Sequence, residues 1–472
     1  MSLRIASSLL VAAFATGAGA SAFACEPGDH GTPPRDDDPG VTAPSPADPV
    51  TADGEANLSL LPRKLDGSYR YNANAPTALT TYLHPDGTER QLIIFHADDR
   101  RTHVAERRFP DGQWGSAVDV HGATNSSPLE MDSHNAPAIG VAPDGTIFAV
   151  GGHHVDPLAI ARSVEPWNAG AFVNVPRSEL GARDTDRVTY PSFFTANNRL
   201  HLSYREQEVG ANRQFRWLIK TYDHESGLWS TFVQLDDSQD TRLYVSKIAT
   251  SRDRGEIHLS AVWRDEHPSI RRNTYTQADL FHLYFRDGQW QQLGAGPVSP
   301  PFAYTHGTRS SDVPVNIWDT PSDPEPRSAG SVLVDRNGTV HIVTRDRQRG
   351  VWYHRGTESG WDSRKLQVRS QHEILVEVGD RVALILASDG DIVYQPLDGT
   401  PWRLLAEGYT SERHARISLD REAMRRGWLS LLLTDFRHGP PRSYNGPAIP
   451  EEGQVLSIPL DELATFDQPW RE

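Results

Sequence analysis

The side chains best suited to chemistry fall in three clusters along the middle of the chain. The first is Met131-Asp132-Ser133-His134-Asn135-Ala136-Pro137, followed by Gly151-Gly152-His153-His154-Val155-Asp156. His134 and His154 stand 20 positions apart, at the entry and exit of adjacent strands, so both imidazoles can reach one end of one sheet as a base and its partner. Two imidazoles can also hold a metal, but no third ligand stands at matching spacing. Taken alone, each histidine is more often a hydrogen-bonded structural residue. The glycines before His153-His154 favour binding, because glycine lets a ligand approach the backbone closely.

The second cluster is Arg187-Val188-Thr189-Tyr190-Pro191, with Tyr204-Arg205-Glu206 at the end of a strand that starts near His201. A residue before proline is held extended, which fixes the direction of the Tyr190 ring; a packing aromatic is the equal alternative. Arg205 is either half of a surface ion pair or the cation of a binding site. The third cluster pairs Tyr244 with Trp263-Arg264-Asp265. Trp263 and Arg264 fit a sugar-stacking and charge-recognition pair, or a plug between sheets, the plug being slightly favoured.

The elements that must position these residues are short strands in a repeat. A turn rich in Asp, Asn and Gly leads into an alternating strand at 91–95, 146–150, 199–203, 256–260, 339–343, 381–385 and 428–432. Turns ending in tryptophan recur at Trp114, Trp229, Trp290, Trp361 and Trp402. Each unit has room for three or four strands joined by Asx/Gly turns, and only 420–426 hints at a short helix. Seven such sheets around an axis remove exposed edges by ring closure. The pattern therefore predicts an all-β, seven-bladed β-propeller over 56–472. A jelly roll would not repeat at this length, and a β-helix repeats at a much shorter one. Residues 290–329, rich in Pro, Ser and Asp, read as an insertion loop.

Before the propeller, Met1-Ser2-Leu3-Arg4, an apolar run and Ala22-Phe23-Ala24 form an export signal over 1–24. Residues 25–55, poor in large apolar side chains, read as a flexible tether. Cys25, the one cysteine, stands where a bacterial lipoprotein would be lipidated. Lipid attachment to an outer membrane and simple cleavage are both open, so the expected location is periplasm, cell surface or medium. The net charge of -15 argues against nucleic acid and anionic lipid surfaces as partners. A monomer is expected, and basic residues for an acidic substrate must be gathered locally.

In order and spacing, Ser133-His134-Asn135, the His-His pair, Val188-Thr189-Tyr190-Pro191, Tyr204-Arg205, Tyr244 and Trp263-Arg264-Asp265 resemble the BNR-repeat-containing propeller proteins that include the ulvan lyases. The resemblance spans about 73–286 and is looser beyond. It implies a seven-bladed propeller and, for the lyases of the group, cleavage next to a uronic acid by a His/Tyr/Arg cluster. By that resemblance His134 and His154 are the active-site histidines, with His153 the alternative that spacing disfavours. Tyr190 is the tyrosine of the Thr-Tyr-Pro motif, Arg205 the carboxylate-binding arginine and Tyr244 a second tyrosine. His153, Asn135, Trp263 and Arg264 would then contact substrate. Some members hold a structural zinc with a cysteine; this chain has only Cys25, so no cofactor is expected and any structural metal ion is unidentified.

β-Elimination removes the C5 proton of a uronate and expels the C4 glycosidic oxygen. An arginine bound to the carboxylate stabilises the enolate-like intermediate by roughly 3 kcal/mol or more. A base and an acid each contribute about 10²–10⁴-fold; His134 as base and Tyr190 as acid is the preferred assignment, the reverse remaining open, with His154 orienting the sugar. Two rival functions stand beside a lyase. One is a rhamnosidase- or sialidase-like glycoside hydrolase, which needs two carboxylates from among Asp132, Asp184, Asp186 and Glu206. The other is a non-catalytic glycan-binding surface lipoprotein.

Overall fold

A computed structural model describes residues 57–60, 69–70, 77–97, 101–120, 137–151, 153–182, 186–208, 214–238, 241–246, 248–251, 254–265, 277–303, 317, 329–346, 350–369, 372–388, 391–406, 415–435, 453–465 and 470. All belong to one compact unit, Thr42–Glu472. The export signal, Cys25 and the tether lie outside the described residues, as does most of the expected insertion.

Seven antiparallel sheets follow one another along the chain. The second strand of each is one of the seven recurring segments: Glu89–Ala97, Ile147–Val150, Arg199–Glu208, Ile257–Asp265, Val340–Arg345, Arg381–Ser388 and Trp428–Asp435. These sheets are blades 1 to 7 of a β-propeller. Seven apolar clusters fill the seams, each drawing on two neighbouring blades, including the seam between blades 7 and 1. The expected alternation takes an unusual form. In blade 1, Leu92 and Ile94 pack toward blade 2, while Ile93 and Phe95 pack toward blade 7. Both faces of the strand are therefore buried, and the period of two sorts side chains between two seams rather than between core and water.

The Asp-Gly turns explain how successive strands fold back. In blades 1, 2 and 5 the carboxylate of Asp86, Asp144 or Asp335 accepts a backbone N–H two residues on, from Thr88, Thr146 or Asn337. The glycine that follows has φ of 82°, 87° or 84°, a conformation that costs glycine little. Gly145 is also a close approach: a Cβ there would stand 2.2 Å from the Trp167 indole.

The ring is closed by strand exchange between the chain's two ends. Asn57–Leu60 pairs antiparallel with Gly453–Pro459 as the outer strand of blade 7. A buried polar network ties the same seam. Asp420 accepts from the Thr81 hydroxyl at 2.6 Å and the Gln91 amide at 2.8 Å, and Gln91 also donates to Ser430 at 2.9 Å. Arg107 reaches Gln91 and Ser457. Asp420 also caps the helix Arg421–Arg425 by accepting from the N–H groups of Glu422 and Ala423. This helix, foreshadowed at 420–426, lies at the axis. From it Arg425 donates to the Thr195 carbonyl at 3.2 Å and to the Thr250 hydroxyl, on the inner strands of blades 3 and 4.

Candidate functional site

Blades 3 and 4 bring the predicted residues together where their inner strands begin and their second strands end. The inner strand of blade 3, Asp186–Ala196, pairs with Arg199–Glu208 so that Thr189 faces Arg205 and Ser192 faces Ser203. Tyr190 and Pro191 together oppose Tyr204, which is a β-bulge. Pro191 has no N–H for the ladder, and a bulge is where a sheet accepts it. Tyr190 is therefore not extended, as the pre-proline rule predicted: its φ is 62°. The bulge overrides the local preference and re-aims the ring. Left-handed backbone at a bulky residue is strained and tends to occur at functional positions.

Arg205 lies between two tyrosines. Its guanidinium carbon stands 4.9 Å from the Tyr190 ring centre and 5.0 Å from that of Tyr244, and the rings are 6.1 Å apart. Cation–π attraction on two sides orients the guanidinium. From the paired strand of blade 4, Arg264 donates to the Tyr244 hydroxyl at 3.1 Å, its guanidinium carbon 5.8 Å from the same ring. Arg242 lies 4.0 Å over Phe215, and Arg216 pairs with Glu206 at 3.3 Å. The acidic chain thus gathers four arginines in two adjacent blades.

His154 approaches from blade 2. The strand His154–Asp156 leaves its own blade and pairs with the inner strand of blade 3, setting His154 opposite Thr189, next to Tyr190. The Val155 N–H donates to the Thr189 hydroxyl at 3.2 Å, and Val155 also has positive φ, 63°. His153 is different. It is fully buried; its Nδ1 bonds the Gly151 carbonyl at 2.5 Å and its Nε2 accepts from the Ala159 N–H at 3.0 Å. Burial lowers its pKa, against the pull of Gly151 and Asp156. With both nitrogens engaged it is a structural residue, which corrects its assignment to substrate. Trp263 is corrected likewise. It is 1% exposed, in the seam between blades 3 and 4 beside Phe281, so it is the plug and offers no face to a sugar. His134 and Asn135 lie outside the described residues, as do Asp132, Asp184 and the side chain of Asp186.

Asp236, which sequence reasoning missed, sits beneath this cluster. It lies in the connection from blade 3 to blade 4 and is 1% exposed. One carboxylate oxygen accepts the Trp217 N–H, and the other has no hydrogen bond among the described residues. Burial pushes its pKa up to about 7, opposed by backbone N–H groups of Trp217 and Leu243 and by the charge of Arg205. The one signal in the sequence was an acidic pair, Asp236-Asp237, between two apolar strands. Among the described residues, no group of three His, Cys, Asp or Glu side chains could hold a metal ion.

Comparison with known proteins follows the same outline. Residues 90–369, more than half of the chain, match the model of the BNR repeat-containing family. No curated protein sequence matches the chain. Among solved structures, the polysaccharide lyase Uly1 is 15% identical, with a TM-score of 0.58 over 88% of this chain and 98% of that one. An ulvan lyase from a new family of polysaccharide lyases is 12% identical, with a TM-score of 0.59 over 89% of this chain and 100% of that one. A structure of such a lyase bound to a repeat of glucuronic acid and 3-sulfated rhamnose is also 12% identical, with a TM-score of 0.57 over 86% and 98%. At these identities the likeness is one of fold.

Proposed function

The chain belongs to the BNR repeat-containing family, and from that footing we propose that it is a polysaccharide lyase that cleaves a uronate-containing, ulvan-like sulfated glycan by β-elimination. The observation that carries this reading is Arg205 held between Tyr190 and Tyr244, with the backbone of His154 in register beside Thr189. The fold shared with two ulvan lyase structures, one of them bound to a saccharide, supports it.

In this mechanism Arg205 binds the uronate carboxylate and stabilises the charge that builds there as the C5 proton leaves. Its orientation between two rings is set in advance, so little reorganisation is needed. His134 takes the proton, Tyr190 donates to the departing C4 oxygen, and His154 orients the sugar. Arg264 and Tyr244, hydrogen-bonded to each other, hold the substrate's acidic groups. The product is an unsaturated uronate at the new non-reducing end. The same reading places the protein outside the cytoplasm, exported by residues 1–24 and, where Cys25 is acylated, held at a membrane.

A glycoside hydrolase fits less well. Glu206 is buried and committed to Arg216, and Asp236 is enclosed under Arg205, so neither is poised as one of the two facing carboxylates that hydrolysis needs. The test is to incubate pure protein with ulvan and follow the ultraviolet absorbance of the unsaturated product together with new reducing ends. Both rise for a lyase. Reducing ends without absorbance mean a hydrolase, and binding with neither means a capture protein.

A further inference from the structure

Away from the arginine–tyrosine cluster, two adjoining cavities lie at the axis around the helix Arg421–Arg425. One is walled by inner-strand residues such as Leu79, Ile139, Phe193 and Leu419, the other by Leu333, Val334 and Leu460. Arg421 and Arg425 line both. Three carboxylates and three guanidiniums face these cavities, and their pairing is uneven. Arg425 bonds Glu422 at 2.8 Å and Arg336 bonds Glu377 at 3.1 Å. Asp420 is turned across the blade 7–1 seam onto Thr81 and Gln91 and onto the helix N–H groups. Arg421 has no hydrogen bond or ion pair among the described residues, and the like charge of Arg425 acts on it. Arg421 is half-buried at the wall shared by the two cavities, and a cation held there without a counter-charge is stabilised by an anion in the adjacent space.

We propose that Arg421 binds a small inorganic anion, of chloride to sulfate size, in the hub cavities between the plug helix and the inner strands. The helix N-terminus is not the ligand, since Asp420 already takes the N–H groups of Glu422 and Ala423. The guanidinium is. Burial, then the like charge of Arg425, lowers the Arg421 pKa to about 10, in keeping with a guanidinium that has no carboxylate partner among the described residues. The anion would tie blade 7, through its helix, to the hub strands around it.

The test is thermal unfolding of the full chain at fixed ionic strength, exchanging sodium gluconate for sodium chloride, bromide or sulfate, in wild type and Arg421→Met. Wild type should gain midpoint temperature in a saturable way as the small anion replaces gluconate, and the variant should lose that gain. Equal responses in the two proteins, as general salt effects would give, overturn the proposal. Crystals of the wild type in bromide keep it testable if the variant fails to fold. An anomalous peak within hydrogen-bonding distance of the Arg421 guanidinium supports the site, and ordered water alone at that place refutes it.

Discussion

Arg205 and Asp236, both buried and with the charge of Arg205 acting on the Asp236 carboxyl, were unequally visible in the sequence. Arg205, Tyr190, Tyr244 and Arg264 could be picked out because their motifs, in order and spacing, resemble those of a known propeller family, whereas strand position alone left packing and ion-pair readings open. Asp236 could not, since its character comes from enclosure between blades that lie far apart in local pattern. Its raised pKa has a testable sign. The folded state keeps a proton on Asp236 up to about pH 7, whereas an unfolded chain releases it near pH 3.8. Its contribution therefore favours folding below that range and is lost as pH rises through it, by roughly 3–4 kcal/mol. Asp236→Asn should match wild type in stability near pH 4 and exceed it progressively toward pH 7 in urea unfolding. A difference that does not change with pH would contradict the assignment. The conformation of Tyr190 was also hidden: the pre-proline rule gives an extended residue, and the two-against-one register with Tyr204 produces φ of 62° instead.

At the scale of elements, the seven recurring strands were legible because each begins after a turn with its own chemistry and alternates cleanly. Two elements were not. The strand Asn57–Leu60 has no partner near it in sequence and gains one from Gly453–Pro459, a pairing that only ring closure requires. The segment His154–Asp156 leaves blade 2 to pair with blade 3, which no strand pattern announces, yet it brings His154 beside Tyr190. The seam between blades 7 and 1 depends on Asp420, which serves Thr81, Gln91 and the helix cap together. Asp420→Ala leaves buried donors unpaired and removes a cap, so a loss of about 2–4 kcal/mol is expected. Chemical denaturation would measure it; a loss below about 0.5 kcal/mol, the usual range for surface changes, would mean that the network does not hold the seam.

The whole molecule is a ring in which every blade is covered on both faces, and this accounts for its many buried histidines. His201, His258 and His341 occupy the same place at the start of the second strands of blades 3, 4 and 5, each bonded to a partner on the next strand: Thr221, His282 and Tyr353. Together with His153, His282 and His354, burial lowers their pKa values, to about 4 for His201 and about 3 for His354. A histidine depressed in the folded state binds its proton more readily when unfolded. Stability is thus fully present above the unfolded pKa of about 6.5 and is lost as pH falls toward the folded values. Unfolding between pH 6.5 and 4 should take up several protons, read from the slope of unfolding free energy against pH. Uptake of fewer than one proton would contradict this picture of the seams.

The central claim is that Arg205 stabilises the acid group of a uronate while a C–O bond breaks by elimination. It is tested most directly by the rate of unsaturated-product formation on a sulfated glucuronate–rhamnose polymer, wild type against Arg205→Lys. Lysine keeps the charge and loses the planar, two-pronged contact. Wild type should form the product, and the variant should be at least about 100-fold slower with unfolding behaviour little changed. Equal rates in the two proteins, or chain cleavage by wild type without any unsaturated product, would contradict the account.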